Sequence, residues 1–581
     1  MGLFNSDKEK DGDVSSGNGA DVADGFSADN ADQLQRHLGN RQIQLIAIGG
    51  SIGTALFVSI GNGLYHGGAA NLLLAFTAQS IVLAMVNNCV AEMTTAYPVS
   101  GGFIRHAGEW VDDALGFMVG WNFFFYEALL IPFEISAFVL VLSFWSPVVT
   151  EPGPTAGIVI GVIACYAFIN ILAVGAFGEA EFWLSGGKVV LIFMLFFFTF
   201  VTMVGGNPQG DAYGFRNWTD GQAFREYITT GSLGRFEGFL GGLTTAVFAV
   251  VGPEYISIVA AEAMRPRTYI KAAFKMVYLR FGLFFIGGAL AVGIACPSRD
   301  PKLADVVEGG SNGSASASPY VIAMTNLGIT VLPDVVNALI LTSIFSAGNT
   351  YTYCAVRNLY SLSLEGRAPT FLRHCTKKGV PIYCFAVVMI FPLLAFTSVS
   401  SGSRVAIDWF ASLVTGGGLI NYVVMCITYI RFYKATQAQG LDRKTLPYTG
   451  WLQPYCAYFG LAWMFTVGCI YGYTCYLPFS VSSFFSNYTM QLFIPPLYVI
   501  WKLVHKTKIV KPHEVDLVWE RPVIDAYEET FIYPPVGFWT EMGHLFGIKR
   551  KRDQGSNRRQ SLVQEDVMQA QTNLNAQLDR K

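Results

Sequence analysis

Charge is scarce in this chain. Asp, Glu, Lys and Arg make up 14% of its 581 residues, against about 25% in a soluble globular chain. Hydrophobic residues make up 52%, with 45 Phe and 27 Tyr among them. That balance excludes an ordinary soluble domain and points to a polytopic membrane protein. The phosphate-cradling pattern G-x-x-x-x-G-K-[ST] is absent, which argues against ATP-driven work on this chain. The ten cysteines include no C-x-x-C pair, and only Cys296 and Cys475 lie near the expected outer face. Neither a disulfide framework nor a zinc site is expected from them. No nucleophile–base constellation or cofactor fingerprint is present, so the chain reads as a non-enzyme that uses no cofactor. Nucleic acid is not an expected partner; the lipid bilayer is.

What is abundant is apolar sequence in long runs. About twelve runs approach the roughly 20 residues that a membrane-crossing helix needs. They fall at 43–65, 71–97, 114–145, 155–175, 183–204, 238–262, 273–296, 330–360, 382–399, 407–432, 456–478 and 488–505. The first 40 residues are polar, acidic and rich in Gly, Ser and Asp, the composition of a disordered segment rather than a cleavable signal peptide. The expected division is a disordered cytosolic N-terminus (1–42), a transmembrane domain (43–505) and a cytosolic tail (506–581).

Orientation follows from the cations beside the runs. Arg265, Arg267, Lys271 and Lys275 mark the connection from the sixth run to the seventh, and Arg367, Arg373, Lys377 and Lys378 that from the eighth to the ninth. Arg431, Lys434, Arg443 and Lys444 mark the next such connection, and Lys506, Lys508 and Lys511 follow the last run. All share one side, which is therefore cytosolic together with both termini. The N-x-S/T sequons beginning at Asn217, Asn312 and Asn487 all fall in the opposite loops, where they are glycosylation candidates. The basic run at 549–552 reads as a solvated terminus, with contact to anionic lipid as the alternative.

Two stretches interrupt the apolar pattern in a way that matters. The first run holds Gly-Gly-Ser-Ile-Gly-Thr-Ala-Leu-Phe at 49–57. Gly costs roughly 1 kcal/mol in a helix interior, and a broken helix at membrane depth is tolerated only where it is buried in protein or lines a cavity. The sixth run holds Val251-Gly252-Pro253-Glu254, and Pro interrupts the hydrogen-bond ladder. Small residues also serve close helix packing. Breaks in corresponding positions of two repeated halves, however, point to a transporter's binding site. Freed N–H groups suit an anion and freed carbonyls a cation, and an amino acid carries both charges.

Ionisable residues inside the runs are the other signal, because each is costly there. The third run carries Glu127 and Glu134, and the fifth carries Lys188. Each Glu is expected to face other helices; Lys188 either works in the interior or snorkels to the cytosolic headgroups. Asn122, Asn349 and Asn421 are polar enough to line a cavity.

These stretches resemble the fungal amino-acid permeases of the amino acid–polyamine–organocation superfamily over roughly residues 36–520. The resemblance rests on 47–57 (AIGGSIGTALF), 92–103 (EMTTAYPVSGGF), 114–122 (ALGFMVGWN), 178–183 (GEAEFW), 234–239, 318–323, 346–349, 379–381 and 446–448. It implies an all-α fold with a five-plus-five inverted repeat, broken helices one and six, and two extra C-terminal helices. It also implies proton-coupled uptake of amino acids across the plasma membrane, with ubiquitin-ligase adaptors as partners of the cytosolic tails. Carried over by position, a substrate carboxylate would meet the N–H groups of Gly53, Thr54 and Ala55. The ammonium would meet the carbonyls of Ser51, Phe248 and Val251, with Asn122 and Asn349 nearby. Lys188 matches a lysine that in related transporters occupies the place of a sodium ion. With Glu134 and Glu254 it is the expected proton-coupling set. Ala55 in place of a common Gly, Pro253 in place of Thr or Ser, and Asn421 in place of Trp depart from the family pattern. The segments 123–128 and 511–520 are most similar to the subgroup that takes dicarboxylic amino acids. A neutral or broad substrate range, or a non-transporting amino-acid sensor, are the alternatives.

Overall fold

The computed structural model describes residues 38–545, apart from 173, 220, 309–317, 377–378, 402, 530 and 532–536. The N-terminal segment before Leu38, the Asn312 sequon, Lys377, Lys378 and the basic run at 549–552 lie outside the described residues. Within them the chain is helical, with three isolated β-bridges and no strand. Apolar residues and glycines dominate the second half of the 12-residue α1 (Asn40–Ser51), which stops at the first break; a π-helical turn, Ala55–Ser59, then leads into α2 (Ile60–Ala96). A kink at Gly68, with φ of 80°, separates the end of the first run from the second inside α2.

The short α3 (Phe103–Trp110) follows, and then α4 (Asp113–Leu142), begun by Asp112, whose side chain accepts from the Ala114 N–H. Next come α5 (Pro152–Leu172) and α6 (Val174–Met203). The sixth run is divided into α7 (Gly231–Ala249) and α8 (Pro253–Ile258). It is followed by α9 (Pro266–Arg280) and α10 (Gly287–Ala295), then α11 (Leu332–Leu364). The chain continues through α12 (Ser403–Ala438), α13 (Tyr455–Ile470), α14 (Val481–His505) and two tail helices, α15 (Arg521–Glu529) and α16 (Phe538–Leu545).

Among the described residues, nine segments are long and apolar enough to cross a membrane. The difference from twelve runs has a physical cause. The first run is cut by its break, leaving α1 only 12 residues long. α11 and α14 are long helices whose polar residues, such as Asn337, Asn349 and Asn487, dilute their apolarity. The outer faces are apolar: Phe193, Phe197 and Phe200 on α6 are 51–69% exposed, a face that suits lipid and not water. Inside, α2 packs on α7, α4 packs between α11 and α12, and α1 is held by α6 and α11. The two breaks therefore come together at the centre, surrounded by α4, α6 and α11.

Candidate functional site at the paired helix breaks

The first break is built by close approach. A Cβ on Gly49 would lie 2.1 Å from Glu181 Oε1, one on Gly50 2.8 Å from the Tyr255 ring, and one on Gly53 2.7 Å from Glu134 Oε1. Only glycine lets α4, α6 and α8 reach the backbone of the first break at these points. Ile52 is extended, with φ −123° and ψ 104°, so the ladder stops there. The freed carbonyls are taken up by side chains. Lys188 Nζ donates to the Gly49 carbonyl at 2.7 Å, and the Tyr351 hydroxyl donates to the Gly50 carbonyl at 3.0 Å. Across the break, Thr54 Oγ1 donates to Glu134 Oε2 at 2.5 Å, and the Thr54 backbone also faces that carboxylate.

The second break turns on Gly252, whose φ of 155° and ψ of −40° no side-chain-bearing residue adopts readily. Its N–H donates to Glu254 Oε2 at 3.1 Å, and Tyr422 donates to Glu254 Oε1 at 2.8 Å. Glu254 thus folds back over the break and does not line the cavity between the two.

That cavity is constricted almost to closure. Ser51, Gly53 and Ala55 form one wall; Phe248, Ala249 and Val251 form the facing one; Tyr126, Leu130, Phe133, Glu134 and Tyr351 complete it. Phe133 and Phe248 meet edge to face at 5.1 Å. Glu134 is the one charged residue in this lining, and no Lys, Arg or His borders the cavity among the described residues.

Of the expected substrate contacts, Ser51, Gly53, Ala55, Phe248 and Val251 border the cavity, and Thr54 is engaged by Glu134. Asn122 and Asn349 do not reach it. Asn122 Nδ2 donates to the Gly417 carbonyl and to Asn421 Oδ1, each at 2.8 Å, and so ties α4 to α12. Asn349 Oδ1 accepts from Asn170 Nδ2 at 2.9 Å, which ties α11 to α5. Three further residues belong to the site. Tyr126 and Tyr351 line it, and Glu181 accepts from Ser185 at 2.6 Å and Ser346 at 2.5 Å beside Gly49. An acid in the 178–183 stretch was a legible signal for Glu181; nothing local marks the tyrosines. Of the sequons, Asn217 is buried and donates to the Ile294 carbonyl at 2.9 Å. Asn487 lies on α14, half-buried, with its amide on the Ser483 carbonyl at 2.8 Å.

An all-helical, multi-pass membrane protein with two broken helices meeting at a buried, charge-poor cavity is the architecture of a small-solute transporter. The chain belongs to the amino acid permease family, whose model matches residues 42–514. It is 42% identical to the general amino acid permease AGP2 of Saccharomyces cerevisiae over 507 residues, covering 85% of this chain and 84% of that protein. It is 36% identical to the dicarboxylic amino acid permease of the same yeast, over 86% of this chain and 82% of that one. It is likewise 36% identical to the proline-specific permease of Emericella nidulans, over 87% and 92%. These relatives are permeases rather than enzymes, and their names span several specificities.

Proposed function

We propose that this permease imports amino acids together with protons across the plasma membrane by alternating access, with both termini cytosolic. The observation that carries the reading is the placement of Glu134. Its carboxylate meets Thr54, at the start of the same half-helix that would receive a substrate carboxylate. Two carboxylates cannot both stay charged in one small buried site, so one of the two must be met by a proton. Lys188 supplies the opposite charge on the far side of the break, held on the Gly49 carbonyl. Protonated, it ties α6 to α1 as a bound cation would; deprotonated, it lets α1 go. A proton bound more tightly in one conformation than the other shifts the equilibrium between them.

Substrate is read through its α-carboxylate and α-ammonium. The carboxylate would meet the N–H groups of Gly53, Thr54 and Ala55, and the ammonium the carbonyls of Ser51, Phe248 and Val251. The side chain then enters a wall of Tyr126, Leu130, Phe133 and Tyr351. That wall favours a neutral side chain. A dicarboxylic amino acid would have to enter with its side-chain carboxyl protonated, since a buried carboxylate without a donor or cation is strongly disfavoured.

Uptake of each labelled amino acid in a permease-deficient yeast, with the others as competitors, tests this. Saturable uptake that N-acylated amino acids and decarboxylated amines fail to inhibit supports the backbone cradle. Binding without any uptake would make the protein a sensor. Uptake restricted to aspartate and glutamate would overturn the neutral preference.

A further inference from the structure

One buried acid in the membrane core remains without a partner. Glu127 on α4 is 0% exposed, and among the described residues neither of its carboxyl oxygens has a hydrogen-bond partner. The other acids around the breaks differ. Glu134 receives Thr54, Glu181 receives Ser185 and Ser346, and Glu254 receives Tyr422 and the Gly252 N–H. Among the described residues, the titratable groups near enough to Glu127 to interact with its charge are Glu254 and Tyr255 from α8, Tyr351 and Cys354 from α11, Tyr422 from α12, and its own neighbour Tyr126. No cation is among them, and the one formal charge facing it is a second carboxylate. A carboxylate with neither donor nor cation is not sustained in such a place. In this closed arrangement a proton on the group would remove that cost.

Its position gives that proton a use. Glu127 and Glu134 are seven residues apart, two turns of one helix face, or about 10 Å along the axis. Glu134 borders the cavity; Glu127 lies nearer the Asp113 end of α4, the end that the C-terminal tail covers through Val111 and Arg105. The elements that face it include α8, the half-helix beyond the second break. Motion of α8 away from α4 would remove Glu254 and admit water at the same moment.

We propose that Glu127 is a proton-binding residue of the transport cycle, a station on the tail side of the cavity that takes up and gives out the coupled proton. This rests on the proton-coupled reading above. In the loading step a carboxylate oxygen of Glu127 accepts a proton that has entered with substrate from the outer solution, forming the O–H bond. In the release step, with α8 displaced, that O–H bond breaks and cytosolic water accepts the proton. Nothing is oxidised or reduced.

The test uses the full-length protein reconstituted in vesicles that enclose a pH-sensitive dye, with an equimolar radiolabelled mixture of the twenty common amino acids as probe. Wild type is expected to move protons inward with amino acid. Glu127→Gln is expected to keep amino-acid counterflow within about twofold while proton movement and uphill accumulation fall at least about tenfold. Glu127→Asp is expected to restore accumulation with a displaced pH profile. Proton movement by Glu127→Gln equal to that of wild type overturns the role of Glu127 alone. Net amino-acid uptake by wild type without any proton movement overturns the proton-coupled reading and this role with it. Should Glu127→Gln fail to reconstitute, the Asp variant decides: a displaced pH profile supports the proposal, and one superimposable on wild type overturns it.

Discussion

Lys188 is wholly buried, and its contact with the Gly49 carbonyl makes it the cation of the first break. If it couples protons, Lys188→Ala should reach the cell surface yet lose uphill accumulation. Lys188→Arg should fail too, because a guanidinium stays charged at any accessible pH. An arginine variant that concentrates substrate with normal pH dependence would make Lys188 a structural cation. Gly53 invites a steric test. A methyl there would press on Glu134 Oε1 at 2.7 Å and on Ala347 Cβ at 2.9 Å. Gly53→Ala should cost about 1–3 kcal/mol of stability and raise the KM for every substrate, as read by thermal shift and uptake. Outside the membrane core, His106 on α3 is buried, stacked on Trp110 at 4.6 Å, with Nε2 donating to the Tyr97 carbonyl and Nδ1 without a partner among the described residues. Burial, together with the nearby Arg105 and against the Tyr97 hydrogen bond, pushes its imidazole down to about 3. The folded state then binds fewer protons than the unfolded chain, so stability is complete above pH about 6.5 and is lost as pH falls towards 3. The slope from this group alone is at most about 1.4 kcal/mol per pH unit. Unfolding midpoints between pH 4 and 7 should therefore flatten in His106→Gln.

At the scale of elements, the ends of α2 and α12 are locked to the loop before α13. Glu92, 0% exposed, accepts from Arg443 Nε at 2.7 Å, Arg443 Nη2 at 2.6 Å, Tyr429 at 2.8 Å and the Gly450 N–H at 2.7 Å. Removing one partner of such a pair leaves an uncompensated buried charge, which costs about 3–5 kcal/mol. Arg443→Ala should lower the unfolding temperature sharply, and adding Glu92→Gln to it should recover part of the loss. Equal instability of the single and double variants would show that the pairing is not what holds the loop. The opposite end has a lighter clasp. Arg404 on α12 donates to Asn62 Oδ1 at 2.6 Å and pairs with Asp408 at 3.2 Å, joining α12 to the start of α2. The cavity is therefore bracketed from both sides by polar contacts between helices.

The whole molecule is strapped by its own C-terminal tail. Val515 and Leu517 bury among Met93, Tyr97, Trp110 and Phe432, while Tyr97 donates to the Leu517 carbonyl at 2.7 Å. Further on, Tyr527 donates to the Met264 carbonyl at 3.0 Å, the Arg267 N–H to Glu528 at 3.0 Å, and the Arg41 N–H to Glu541 at 2.9 Å. The tail thus joins α1 and the segment that follows the half-helix α8 to α2 and α3, contacts that any opening on this face must part. Trp519 anchors it, packed near Tyr97, His106 and Trp110. Trp519→Ala should speed amide exchange about tenfold at residues 38–45 and 262–268, a local loss of about 1.4 kcal/mol. Unchanged exchange there would show that the tail rides on the fold without bracing it.

Long apolar runs, the two breaks and the family were all legible in the chain, because each is a local property. A run needs only its own residues to be apolar, and glycine and proline interrupt a helix wherever they stand. The partners of the breaks were not local. Tyr351 reaches Gly50 across 301 residues and Glu181 meets Ser346 across 165, and no periodicity announces such pairs. Asn122 and Asn349 show the converse: polarity marked them, but a buried amide can be satisfied by a neighbouring helix as well as by a ligand. Which use each serves depends on the helix packed opposite. The first run's helix ends where its glycines dictate; which side chains occupy the carbonyls it frees was decided only when α4, α6 and α11 closed around it.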